Sequence, residues 1–403
     1  MNDRRKQAFS TWHGRVHREG DDAAAGWLVS LFEDDDGSLD RSLTHGFHAY
    51  AGRMPPFVAR RAVEKLAKPG QLVLDPFAGG GTVVVEAMRR GCAAVGRDLS
   101  PLARRIARVR TMITDEATRT RLVETAAAIA AVSAERAIER VKPPMPMWSR
   151  EALEFFPPHI ALELFGLRAE IGRIPDEDPI SLPLRMTFSA ILSKVVERKP
   201  EEGEEPSDRH VARGFPSKWF GDKAAELARG LAELADVVPE GTPPARIETG
   251  DARMLDRIED ASVDAIVTSP PYAGVYDYAE AHAARFVMLR LHREDFERKQ
   301  MGARGDGSGP MPMDWERDRI AYLKAMARVL KPGAFAFVIV GDGVVGGAPE
   351  NALSGILNAI KSTPLTRVAM ASQDRPPADP YLIDLFHGLP RREHLILLRR
   401  LPD

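Results

Sequence analysis

The amino-acid sequence predicts a doubly wound α/β sheet of about seven strands with about six flanking helices, interrupted by a helical insertion. Three observations carry this expectation. Short apolar runs alternate with helical patterns over 45–111 and again over 246–403. Two of the runs end in residues that stop a strand: Asp75-Pro76 before a glycine loop, and Ser269-Pro270-Pro271-Tyr272. The block between them, 112–245, has helical periodicity and almost no strand pattern. The expected organisation is therefore a helical extension over 1–44, a first core segment over 45–111, an insertion over 112–245 and a second core segment over 246–403.

Composition narrows the function classes. The 403 residues carry 56 basic and 58 acidic side chains, a formal charge of −2. No global basic field draws the chain to nucleic acid, so a basic face must be local. The single cysteine, Cys92, excludes an intramolecular disulfide and a cysteine-based zinc cluster. No metal is expected. No long apolar run or signal peptide stands out, which leads us to expect a soluble cytoplasmic protein with no membrane partner. Monomer and homodimer both stay open.

Trp12, Trp27, Leu28, Leu31 and Phe32 suggest helical packing in the first 45 residues. His48, Tyr50 and the following Gly52 belong to an aromatic loop, and Pro55-Pro56 marks a helix start before 57–68. A strand over 71–77 runs into Ala78-Gly79-Gly80-Gly81-Thr82 and a helix over 83–90. A second strand, 93–99, carries Asp98; Ser100 then reads as an N-cap and Pro101 as the first helical residue. Insertion helices are expected near 117–140, 150–172, 182–197 and 222–237, with 199–208 as a solvated loop. Strands follow at 246–252 and 263–269, then a helix near 276–292, a glycine-rich loop over 302–312 and a helix over 315–330. Strands at 334–340, 366–371 and 394–398 complete the sheet.

The glycine loop follows an acid directly, and a GxGxxG fingerprint is absent, which disfavours a nicotinamide cofactor. A carboxylate at Asp75 repels pyrophosphate and suits an ammonium group. Asp98 is placed for a ribose diol, and Asp251 for an adenine amino group. Each acid alone reads equally well as a cap or turn residue. Together they suit a cationic nucleoside bearing an amino acid, S-adenosyl-L-methionine. The second stretch complements them. Successive prolines fix φ and lack N–H donors, so the strand end presents a hydroxyl, carbonyl acceptors and a tyrosine face. Such an end suits a planar group carrying an NH2.

At these residues the chain resembles the amino-methylating DNA methyltransferases, which modify cytosine N4 or adenine N6. Asp75-Pro76-Phe77-Ala78-Gly79-Gly80-Gly81-Thr82 is similar to their cofactor loop, and Ser269-Pro270-Pro271-Tyr272 to their catalytic motif. The segment ending at Pro55-Pro56 is similar to the one that closes over the methionine moiety, and the order of motifs resembles the α-type permutation. The resemblance implies a Rossmann-like methyltransferase sheet, S-adenosyl-L-methionine as cofactor and DNA as substrate, with the target base flipped out of the duplex. It implies catalytic roles for Ser269, Pro270, Pro271 and Tyr272. It implies cofactor contacts at Tyr50, Pro55, Asp75, Phe77, Gly79 and Gly81, and at Thr82, Asp98, Leu99, Asp251, Ala252 and Ser269. Serine at the first motif position leans towards cytosine N4. Adenine N6 and an RNA target of the guanine-N2 type are the alternatives. The insertion is a candidate target-recognition element without an obvious basic face. Tyr276 and Tyr278 read equally as base-pocket or packing residues, and Arg104, Arg105, Arg108 and Arg110 as a solvated helix face rather than phosphate contacts.

Overall fold

The computed structural model describes residues 14–34, 40–141, 143, 149–196, 211–375, 380–387 and 389–402. Ten strands are present among them: β1 (Val16–Gly20), β2 (Leu72–Asp75), β3 (Ala93–Asp98), β4 (Arg246–Thr249), β5 (Val263–Thr268), β6 (Leu330–Gly341), β7 (Gly343–Val345), β8 (Ala348–Glu350), β9 (Leu365–Arg375) and β10 (Arg391–Arg400). Eight form one sheet in the order β1-β9-β10-β6-β5-β2-β3-β4, and β7 and β8 form a separate antiparallel pair. The pairs from β4 through β3, β2 and β5 to β6 are parallel. β10 is antiparallel to both β6 and β9, and β1 is antiparallel to β9. The seven expected strands are all present; β1 is an eighth.

That strand corrects the expectation of an all-helical N-terminal segment. Helix Asp22–Glu33 exists, with Leu28, Leu31 and Phe32 buried, but Val16–Gly20 precedes it as an edge strand. Its sequence, VHREG, holds one apolar residue, and its pairing comes entirely from β9. Two expected helices are also broken. The segment 150–172 splits into Ser149–Leu153 and Pro158–Ile171, because Pro157-Pro158 can only begin a helix. The segment 276–292 divides into Tyr278–Ala281 and Ala283–Leu289, with Arg293–Glu297 following. The charged stretch 199–208 and Trp12 lie outside the described residues.

Position β2 is the topological switch point. Its neighbours β3 and β5 lead away in opposite directions across the sheet, so a crevice opens beyond the carboxyl ends of these strands. One apolar cluster covers one sheet face, including Val63, Val73, Val84, Val267, Phe337 and Leu395. Another, with Leu74, Ile266, Trp315, Met326, Val338 and Ile396, covers the opposite face. The helices between 116 and 237 have a core of their own, around Leu164, Phe188 and Phe220, which continues onto helix Pro101–Arg110 through Leu102 and Ile106. No helix among the described residues is long and apolar enough to cross a membrane.

Candidate active site

Strand ends bring the two sequence motifs together. β2 ends at Asp75, and the chain turns through Gly79 (φ +49°) and Gly81 (φ +84°) into helix Thr82–Arg89. Gly81 has no room for a side chain: an added Cβ would sit 2.9 Å from the Ala107 Cβ, at a backbone angle that favours glycine. β5 ends at Thr268, directly before Ser269. The Thr268 hydroxyl donates a 2.7 Å hydrogen bond to Asp75 Oδ1, so the ends of the adjacent strands are tied by a buried bond.

Asp75 is 4% exposed. It also accepts a 3.1 Å bond from the Phe77 N–H. Burial pushes its carboxyl up from 3.8 to about 7; the two hydrogen bonds oppose the rise, and the nearby Asp98 adds to it. Asp98 accepts from the Gly79 N–H at 2.8 Å and the Ser100 N–H at 2.7 Å, which anchors the glycine loop to β3. Its carboxyl is also raised, by burial, against the pull of those donors. Tyr50 lies over the loop. An added Cβ on Gly79 would meet the Tyr50 ring at 3.5 Å, and the ring stacks on Tyr278 with centroids 5.9 Å apart.

A cleft enclosing about 830 Å³, open solvent included, lies in this crevice. Tyr50, Asp75, Phe77, Gly79 and Thr82 line it, together with Asp98, Leu99, Ala252, Ser269 and Pro271. The remaining expected site residues are placed around it. Pro55 precedes helix Pro56–Leu66, next to the lining residue Met54. Gly81 packs on Ala107, and Pro270 is buried. The Asp251 carboxylate is held by the Arg253 guanidinium at 2.7–3.1 Å, and Arg253 reaches on to Asp318 at 3.0 Å.

Tyr272, next to the lining residue Pro271, is half-buried. An added Cβ on Gly341 would lie 2.6 Å from the tyrosine ring, so the ring rests directly on backbone. Its hydroxyl donates a 2.7 Å bond to Glu393 Oε1, and Glu393 pairs with Arg375 at 3.0 Å. Burial, followed by the Glu393 carboxylate, holds the phenol well above its ordinary value, so it remains a donor. The Ser269 hydroxyl also interacts with this phenol.

Several lining residues carry no motif. Phe296 reaches the cavity from the short helix Arg293–Glu297, Gln300 and Met301 from just beyond it, and Arg53 from the aromatic loop. Nothing local in the sequence singles out the first three. Two buried polar atoms in the lining residues have no hydrogen-bond partner, Thr82 Oγ1 and Gln300 Oε1. Unmet hydrogen-bonding capacity beside paired acids fits a polar, cationic ligand. S-adenosyl-L-methionine, with an ammonium, a sulfonium, a diol and a planar base, matches this donor and acceptor set.

Residues 3–108, about a quarter of the chain, match the N6_N4_Mtase family model, described as DNA methylase. The type II methyltransferase M.MjaII of Methanocaldococcus jannaschii is 35% identical over 66 residues, which is 16% of this chain and 12% of that protein. The type II methyltransferase M.MvaI of Kocuria varians is 34% identical over 74 residues, 18% of this chain and 16% of that one. The chain thus aligns with less than a fifth of either relative's length. Among solved structures, TrmN from Thermus thermophilus is 12% identical with a TM-score of 0.34, covering 87% of this chain and 50% of that one. Geranyl diphosphate C-methyltransferase from Streptomyces coelicolor A3(2) is 10% identical with a TM-score of 0.36, covering 87% and 78%. Neither structural likeness bears on activity.

Proposed function

We propose that this chain, whose residues 3–108 belong with the DNA methylase family of amino-methylating enzymes, methylates an exocyclic amino group of a DNA base. S-adenosyl-L-methionine is the donor and cytosine N4 the favoured target. One observation carries the reading: Asp75 and Ser269, at the ends of adjacent strands, open into one cavity and are joined through Thr268. A donor site and an acceptor site that share a wall are what a direct transfer needs.

The residues divide the work. Asp75 offers a carboxylate to the ammonium of the donor, and Asp98 a carboxylate to its diol. Thr82 Oγ1 has a free hydrogen-bonding position in the same wall. When bound, the donor supplies an electrophilic methyl on a sulfonium sulfur. An aromatic amine is a poor nucleophile because its lone pair is delocalised into the ring. Hydrogen bonds from that NH2 to Ser269 Oγ and the Pro270 carbonyl localise the lone pair and stabilise the positive charge that develops on nitrogen. Pro271 stiffens this cradle, because a proline ring fixes the backbone. Tyr272 braces it from behind, locked by Glu393 and Gly341. Its role is to position Ser269, with stacking on a flipped base confined to whatever face Gly341 leaves open.

Serine in place of an acid at the first motif position favours cytosine N4 over adenine N6. The helices between 116 and 237 are the proposed target-recognition element, and DNA the proposed partner. Expression in a bacterial host free of DNA methylation, followed by modified-base mapping of its genome, tests the reading. N4-methylcytosine in a defined context supports it, and N6-methyladenine moves the target to the alternative. An unmarked genome alongside methylated RNA overturns the DNA assignment.

A further inference from the structure

We propose that Gln300, and not Asp251, accepts the hydrogen bond of the exocyclic adenine amine when the cofactor binds. This inference rests on the cofactor reading above. The acid expected for that task is already occupied, because Arg253 grips Asp251 through both carboxylate oxygens and ties it to Asp318. Its two neighbours, Gly250 and Ala252, line the cavity with backbone and a methyl group only.

Gln300 has what Asp251 lacks. It lines the cavity, and its Oε1 is buried without a hydrogen-bond partner. Its orientation is fixed from the other end. The Nε2 donates to Asp277 Oδ1 at 3.3 Å, and a carboxylate can only accept, so the amide nitrogen must face Asp277 and the oxygen must face away. Asp277 is itself held, since the same oxygen takes the Glu280 N–H at 3.0 Å as the N-cap of helix Tyr278–Ala281. Leu99, Ala252, Phe296 and Met301 give the same cavity apolar lining beside its polar groups. Leu99 directly follows Asp98, so a base carried by a ribose on Asp98 enters this apolar wall. An acceptor left unpaired in an apolar slot selects a ligand that brings a donor, because its desolvation is otherwise uncompensated.

Calorimetric titration of the full chain tests this with two ligands, S-adenosylhomocysteine and its purine-riboside analogue, in which hydrogen replaces the 6-amino group. Gln300→Met keeps the length of the side chain and removes the acceptor. It is expected to weaken S-adenosylhomocysteine about tenfold and the analogue less than about twofold, in keeping with one lost hydrogen bond. Asp277→Asn still caps the helix but no longer dictates which way the amide points. It is expected to weaken S-adenosylhomocysteine about threefold and leave the analogue unchanged. Equal losses for both ligands, or no loss for either, overturn the assignment of Gln300. A wild-type chain that binds neither ligand overturns the cofactor reading itself.

Discussion

On the proposed reading, Asp75 makes the cofactor site sensitive to pH. Its carboxyl is carried from 3.8 to about 7 chiefly by burial. A displacement of that size means that ionising it in the empty site costs about 4 kcal/mol relative to the unfolded chain. Because the folded value is the higher one, the empty protein loses stability as pH rises from about 4 to about 7, and is insensitive to this group on either side. Ligand binding runs the opposite way. An ammonium beside Asp75 favours the carboxylate, so binding expels the proton that the empty site still holds at acid pH. Affinity for S-adenosylhomocysteine is therefore expected to rise about tenfold between pH 6 and pH 8 and then level off. Calorimetry at pH 6 in two buffers of different ionisation enthalpy should register close to one proton released. Asp75→Asn should flatten the profile and weaken binding at pH 8 by about ten- to a hundredfold, the worth of a charged hydrogen bond. A pH-independent affinity in the wild type, or an unchanged slope in Asp75→Asn, refutes the reasoning.

Other outcomes follow from the acceptor side. Ser269→Ala should abolish genomic methylation while S-adenosylhomocysteine affinity stays within about threefold, as read by base mapping and calorimetry. Tyr272→Phe keeps the ring and removes the donor to Glu393, and should cost about 1.5–3 kcal/mol in chemical denaturation. Gly341→Ala would force the 2.6 Å contact with the Tyr272 ring apart, with an expected loss of about 1–3 kcal/mol and of methylation together. Full stability in that variant would mean that the ring does not rest on this backbone.

What the sequence made legible was local. Asp75-Pro76 and the glycines after it specify a turn through backbone chemistry, and Ser269-Pro270-Pro271-Tyr272 does the same. Most of the seven expected strands were legible from their apolar runs, and β4 (RIET), with a single isoleucine, only from the glycine and acid that follow it. β1 was not, since an edge strand needs little apolar content once a neighbour pairs with it. The Tyr272–Glu393 bond spans 121 residues and leaves no local trace. The wall of Phe296, Gln300 and Met301 is likewise delivered by tertiary packing of a short helix. The occupation of Asp251 did have a signal: an arginine two residues on, Arg253, close enough to fold back over it.

The placement of β10 has a consequence for how the protein is made. This strand lies between β9 and β6, both synthesised before it, and pairs with each. Until β10 is made, the edges of β9 and β6 that it pairs lack this partner, and unpaired edges are prone to wrong pairings. It also delivers Glu393, so the Tyr272 hydroxyl gains its partner only once β10 is made. A nascent chain can carry both signature motifs in full and still lack the carboxylate that holds the Tyr272 hydroxyl.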